Sequence, residues 1–405
     1  MSNQPIAGRY HSKMRRWIHD SSTFLKNGFG STLVVNRGSS YLPNDTKWVL
    51  EEAGSVEIDN SCESLFYKKL IPAGFTWPEA SLCILSNAYL TGDQGQVFQA
   101  DGSLLQICPS LDHLPLKKIR RPISLFAKKI PGTVFHLTGV DHENHGHFLF
   151  QHLPRLLAAR ENVLLKKEFR VLVAPGHVNW QLRYLQYFGI QKDQIVEGST
   201  GTVKVEHLAY VPMLYGSSYL CNPDYYRQIH QAFRSAPIPE EASLKGEQHD
   251  IIFISRFDAP NRKLTNEAEV IKVCEEVWGK VYVLELSRTP LPEQIRICRS
   301  AKVVIGPQGQ GLSVLFFMEK ALLILLEYGH TLQPLGWCAA YRDVAILNGN
   351  RCVRLLSQSL PDSEGNWMYD IPKFQVDAHR LAQLFSSKAS PQYGDEPQTV
   401  KTVGE

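Results

Sequence analysis

Between Asp250 and Tyr328 the chain repeats one unit: a short apolar run, a loop and a helical stretch. No other feature narrows the fold as much. Ile251–Ser255 is too short for a helix and rich in β-branched residues, so it reads as a buried strand. A polar loop over 256–263 follows, and Asn266-Glu267-Ala268-Glu269 opens a helix reaching about Val277. Val281–Leu284 is the second strand. Pro292-Glu293 starts the second helix, where a proline's missing N–H costs no bond. Lys302–Ile305 is the third strand. It ends in Gly306-Pro307-Gln308-Gly309-Gln310-Gly311, with a helix expected from Leu312 to about Met318. Leu322–Leu326 is the fourth strand, closed by Glu327.

Strands alternating with helices specify an α/β fold with a parallel, doubly wound sheet. Such a sheet binds ligands beyond the carboxyl ends of its strands. Three loops leave those ends. One carries Arg256, Arg262 and Lys263. A second, with Gly306, Gln308, Gly309 and Gly311, lets a ligand approach the backbone and feeds a helix start, which favours an anion. The third brings Glu327, a carboxylate suited to a ribose diol. Each is commonplace alone: a tight turn, a solvated basic loop, a strand terminus. Placed on one sheet edge, they describe a nucleotide-diphosphate site. Asn266 and Glu267 are expected to cap the following helix and support the arginine loop.

A second informative stretch runs from Asp141 to Arg155. A helix from near Gly146 to about Leu165 would set His147, Gln151 and Arg155 at i, i+4 and i+8. Leu149, Phe150, Leu153, Leu156 and Leu157 would then cover its buried side. Pro154 should kink this helix or mark its start. A polar stripe on an otherwise apolar helix is a candidate wall of an active site. His142, His145, His147 and His152 have no zinc-type spacing, so no metal is expected. One imidazole acting as a general base fits better, since its pKa lies near neutrality.

The rest of the chain frames these blocks. Residues 1–79 read as an N-terminal extension packed on the first domain. Its first twenty residues are basic (Arg9, Lys13, Arg15, Arg16), a solvated leader that could also touch an anionic membrane. Residues 80–109 form a β-meander with turns at Gly92-Asp93 and Asp101-Gly102. A basic connection spans 110–130. Over 170–235 the α/β pattern returns: strands at 170–173 and 208–211, helices at 179–188 and 223–233. The first domain is therefore 80–235, the polar stretch 236–249 the linker, and 250–388 the second domain. In the latter, 337–345 and 351–356 add further elements and 376–387 a last helix. Residues 389–405 read as a flexible tail.

Composition excludes several classes. With 405 residues the chain is long enough for two domains. A net charge of +3 gives no case for nucleic acid as a partner. No apolar run has the length of a membrane span. The eight cysteines are scattered singly with no CxxC pair, as expected of buried thiols in a cytoplasmic protein.

Together, Asn144-His145-Gly146-His147-Phe148-Leu149 through Leu153-Pro154-Arg155, Ser255-Arg256 with Arg262 and Asn266-Glu267, and Gly306–Leu312 with Glu327 resemble the family 61 glycosyltransferases. That family includes bacterial capsule and exopolysaccharide enzymes. The resemblance covers roughly residues 80–330. It implies a GT-B-like arrangement, with two Rossmann-like domains facing a central cleft. It also implies a nucleotide-sugar donor in the C-terminal domain, a glycan acceptor on the N-terminal side, inversion at the anomeric carbon, and no metal or other cofactor. Arg256, Arg262 and Lys263 would meet the diphosphate, the glycine-loop residues its phosphate or sugar, and Glu327 the ribose. Asn144, Gln151 and Arg155 would line the acceptor cleft, with a structural salt bridge as the equal alternative for Arg155. The chain departs from the family pattern at Gln151, where a carboxylate is customary, at Gln308, where histidine is, and at Gln310, where alanine is. Gln151 cannot act as a base. The proton acceptor is then His147, Asp141 or Glu143, with His147 preferred. The expected setting is cytoplasmic, with peripheral contact at the inner face of the membrane as its variant. A silent glycan- or nucleotide-binding homologue stays open. A nicotinamide-type enzyme is disfavoured because the glycine loop follows the third strand unit and not the first.

Overall fold

The apolar runs alternate their side chains between two covered faces, and that alternation sets the layers. The computed structural model describes residues 47–58, 73–91, 96–105, 127–139, 141–160, 169–214, 219–237, 248–329, 336–386 and 400–402. In chain order the strands are β1 (Lys47–Glu51), β2 (Gly54–Ile58), β3 (Ala73–Trp77), β4 (Ala80–Thr91), β5 (Gln96–Phe98), β6 (Lys128–His136), β7 (Arg170–Val173), β8 (Ile195–Glu197) and β9 (Thr202–Tyr210). They continue with β10 (Ile251–Ile254), β11 (Tyr282–Leu284), β12 (Val303–Pro307), β13 (Leu322–Tyr328), β14 (Arg351–Ser357) and β15 (Val400–Thr402). The helices are α1 (His145–His147 through Leu153–Arg160), α2 (Val178–Leu185), α3 (Pro223–Arg234), α4 (Glu267–Trp278), α5 (Leu291–Ser300), α6 (Trp337–Leu347) and α7 (Ile371–Ser386).

The second sheet is parallel throughout, in the order β11-β10-β12-β13-β14. Chain order therefore reverses between β10 and β12, a topological switch point. Ile252, Ile254, Val304, Leu323 and Leu325 face one apolar cluster, while Ile251, Phe253, Ile305, Ile324 and Leu326 face another. Apolar residues on both faces are what a parallel sheet covered by helices requires. One face is covered by α4 and α7 through Val270, Val273, Phe374 and Leu381. α7 starts earlier than the expected 376, because Asp370 accepts from the Lys373 N–H at 2.8 Å and Pro372 fits the first turn.

The first sheet has the order β1-β4-β9-β6-β7-β8, with β5 also on β4. β9, β6, β7 and β8 run parallel, and β4 closes on β9 antiparallel. A small antiparallel sheet joins β15, β2 and β3. In the expected tail, Val400–Thr402 thus forms a strand, its two β-branched residues flanking Lys401 on the edge of β2. The two larger sheets share a single apolar cluster. Phe148, Phe150 and Leu153 of α1, Ile229 and Phe233 of α3, and Leu312 and Phe316 after β12 all belong to it.

Helix α1 departs from the expected regular helix. Phe148–His152 forms a π turn, with the Leu153 N–H reaching back to the Phe148 carbonyl. Pro154 has no N–H for the Phe150 carbonyl, and the Tyr226 hydroxyl donates to that carbonyl instead at 3.1 Å. The extra residue of the π turn advances the following side chains by about 100° around the axis. Arg155 therefore leaves the stripe of His147 and Gln151. Beyond β12 the expected α-helix is a 310 segment, Gln310–Phe316.

The basic leader, the Gly92-Asp93 turn, most of 110–130, the helix end near 165, most of the linker and Cys62 and Cys108 lie outside the described residues. The other six cysteines are buried thiols outside any disulfide. Among the described residues, no helix is long and apolar enough to cross a membrane.

Candidate functional site

Two adjoining cavities open at the carboxyl edge of the parallel sheet, beside the switch point. The larger, of about 630 Å³, takes Ser255, Arg256 and Arg262 from the loop after β10 and Gln310 and Gly311 from the loop after β12. Its opposite wall is Asn144, His145, Trp180 and Tyr184. The smaller, of about 230 Å³, is lined by His147, Gln308, Gly309, Glu327, Trp337 and Tyr341. Asn144, Arg262 and Gln310 border both, so the cavity of the arginine loop and the cavity of His147 adjoin.

The arginine loop is rigidly held at its start. Glu267 accepts from the Ser255 hydroxyl and, at 3.0 Å, from the Arg256 N–H. Burial raises the Glu267 pKa, and these hydrogen bonds oppose the rise. Arg256 is itself buried, its guanidinium donating to the carbonyls of Asn261 at 3.1 Å and Arg262 at 3.4 Å. Burial, then the nearby Arg262 charge, lower its pKa from the ordinary value. Arg262 is exposed and sits at φ +54, an unfavourable conformation for a non-glycine residue. Its N–H donates to the Glu364 carbonyl at 3.3 Å, and the next N–H donates to Asn366 at 2.9 Å. Asn266 precedes α4 without capping it. Its side chain instead pairs with the Tyr369 backbone in both directions, at 2.8 and 3.0 Å. Lys263 borders neither cavity, and its ammonium lies 5.9 Å from the centre of the Phe257 ring.

The glycines have packing reasons. A Cβ on Gly309, at φ +155, would lie 2.1 Å from a guanidinium nitrogen of Arg256. Cβ atoms on Gly306 and Gly311 would meet Ile254 at 3.1 and 3.2 Å. The loop is thus glycine-rich partly to seat Arg256 and pack against β10. Gln308 accepts from the Cys338 thiol at 2.9 Å. Gln310 accepts from the His145 N–H at 3.2 Å, tying the loop to the start of α1. Glu327, one residue from the end of β13, is buried yet borders the smaller cavity, with Arg354 3.8 Å away.

Across the space, Asn144 caps α1, its side-chain oxygen accepting from Gly146 at 2.9 Å and His147 at 3.2 Å. His147 Nδ1 lies 2.7 Å from Gln151 Oε1. An oxygen there calls for a proton on Nδ1 and leaves Nε2 as the ring's acceptor. Asp141 is 3.7 Å from His147 and Glu143 lies beside His142; neither carboxylate borders the two cavities. Arg155 borders neither cavity and takes the structural alternative, held by backbone carbonyls. Rotated off the stripe by the π turn, it is buried and donates to the carbonyls of Val211 at 2.7 Å, Thr138 at 2.9 Å and His136 at 3.0 Å. The four histidines diverge: His142 bonds the Gly139 carbonyl, His145 stacks on Trp180 at 4.1 Å, His147 faces Gln151, and His152 is buried near Gly139. No group of three metal-ligating side chains converges among the described residues.

Sequence reasoning missed the aromatic wall. Trp180 and Tyr184 are four residues apart on α2, a spacing that puts both on one face. His145 stacks on Trp180 and meets Tyr184 edge-on, and burial lowers the His145 pKa to about 4, so its ring is neutral at physiological pH. Trp337 and Tyr341 show the same spacing on α6, and Trp337 meets the His147 ring edge-on at 4.6 Å.

No curated protein matches the chain. Residues 145–325 match the family model Glycosyltransferase 61. That span begins in α1 and ends within β13, taking in His147, Gln151, the arginine loop and the glycine loop, and it supports a family 61 glycosyltransferase.

Proposed function

We propose that the protein transfers a sugar from a nucleoside-diphosphate donor to a glycan acceptor with inversion, without a metal, in a GT-B-like arrangement. The observation that carries this reading is the shared border of the two cavities, which sets Arg262 at the junction of the arginine loop and the His147 side. In the proposed reaction, His147 Nε2 removes the proton from an acceptor hydroxyl. That oxygen forms a bond to the anomeric carbon as the bond from this carbon to the phosphate oxygen breaks. The nucleoside diphosphate leaves with the bonding pair. Arg256 and Arg262 neutralise its charge, and a guanidinium suits a diphosphate because it binds two oxygens at once. Gln151 orients the base and Glu267 the arginine loop. The aromatic wall offers flat faces to the nucleoside or a sugar. A role in capsular or other extracellular polysaccharide synthesis, on the cytoplasmic side, follows from the family resemblance.

A second reading, a silent nucleotide- or glycan-binding homologue, is favoured by Gln151 and Gln308. Thermal denaturation with a panel of nucleoside diphosphates and their sugars, with and without EDTA, tests the donor site. One nucleotide should raise the midpoint through mass action, insensitive to EDTA. In Arg262→Ala the shift should disappear, while the unliganded midpoint stays near that of wild type because Arg262 is exposed. Absence of any shift would sink the donor site. A shift without transfer would move the reading to the silent homologue.

A further inference from the structure

The opposite edge of the parallel sheet carries a second, separate groove, of about 590 Å³. Its basic residues follow a rule. Lys280 lies just before β11, Lys302 just before β12, Lys320 just before β13, and Arg351 opens β14. Only β10, between β11 and β12, opens on an acid, Asp250, which pairs with Lys302 at 2.7 Å. Neighbouring strands are about 4.8 Å apart, so Lys280 and Arg351, on the two outer strands, mark out an edge of roughly 19 Å. The floor is apolar, with Ile251, Val303 and Leu322, and the Trp278 indole lines the groove. None of these residues borders the reaction space.

A compact phosphate needs convergent donors, whereas these cations are strung along a line. A flat membrane surface would not reach an apolar floor. We propose that this groove binds a linear acidic glycan, its carboxylates meeting Lys280, Lys320 and Arg351 on either side of the Lys302–Asp250 pair and a sugar face resting on Trp278. The choice of a glycan among linear polyanions rests on the glycosyltransferase reading. The groove would hold a growing or finished chain away from the reaction space.

Fluorescence anisotropy of the full chain with labelled polygalacturonate tests the proposal. Neutral dextran, oligothymidylate and phosphatidylglycerol–phosphatidylcholine vesicles serve as comparison probes. Wild type should bind polygalacturonate but not dextran, with affinity falling as salt rises. Lys280→Glu with Lys320→Glu should weaken binding about tenfold, and the double Lys→Arg variant should bind like wild type. No binding, an unaffected Glu variant, or binding to oligothymidylate or vesicles as tight as to polygalacturonate would overturn it. The nucleotide-induced thermal shift separates the two readings. If that shift persists while polygalacturonate fails, only the groove is lost; if polygalacturonate binds and no nucleotide shifts the midpoint, the groove stands and the donor site falls.

Discussion

Replacing His147 with alanine is expected to lower sugar transfer roughly 10²–10⁴-fold, the usual contribution of a positioned general base. The same variant should keep the nucleotide-induced thermal shift, because the arginine loop is built from β10, α4 and the 362–369 segment without His147. Steady-state rates at saturating donor, paired with the shift, check both halves. An unchanged rate would hand the base's role to Asp141, 3.7 Å away. The imidazole is suited to the task because Gln151 faces Nδ1 at 2.7 Å and fixes the proton there. In the proposed reaction a neutral amide would do this without the charge a carboxylate would add, so Gln151 is consistent with that proposal.

Arg155→Ala is expected to cost roughly 3–5 kcal/mol of stability, the range for removing a buried charged group from a satisfied network. Three carbonyls, on Val211, Thr138 and His136, would lose their donor, and an unfilled volume would remain between β6, β9 and α1. Arg155→Lys should not restore it, since one ammonium cannot copy a planar fork reaching three acceptors. Denaturant unfolding reads the effect. A variant as stable as wild type but unable to transfer would return Arg155 to the reaction space and contradict its role as a clamp.

The parallel sheet was legible in the sequence because buried parallel strands are unbroken apolar runs. Ile251–Ile254 and Leu322–Leu326 could be little else at their length. The arginine and glycine loops were legible for the same reason, since topology sends both to one edge. Arg155 was misplaced because a periodicity of 3.6 assumes a regular helix, and the π turn ahead of Pro154 breaks that register. The proline signalled trouble, but its compensation comes from Tyr226, 76 residues away. Gly309 was read as room for a ligand, whereas the space is taken first by Arg256, a contact no local pattern encodes. Asn266 follows the same logic, its side chain claimed by Tyr369 from a distant segment. Trp180-x-x-x-Tyr184 and Trp337-x-x-x-Tyr341 carried a readable spacing, but an aromatic pair on a helix is usually core. Only the assembled fold sets them against the two cavities.

A structure determined with the nucleoside diphosphate chosen by the thermal panel would test the central claim most directly. The account predicts the diphosphate between Arg256 and Arg262, the nucleoside in the larger cavity beside Trp180 and Tyr184, and the terminal phosphate directed toward the junction with the His147 side. A nucleotide bound away from the switch point, or with its phosphates out of reach of both arginines, would contradict it.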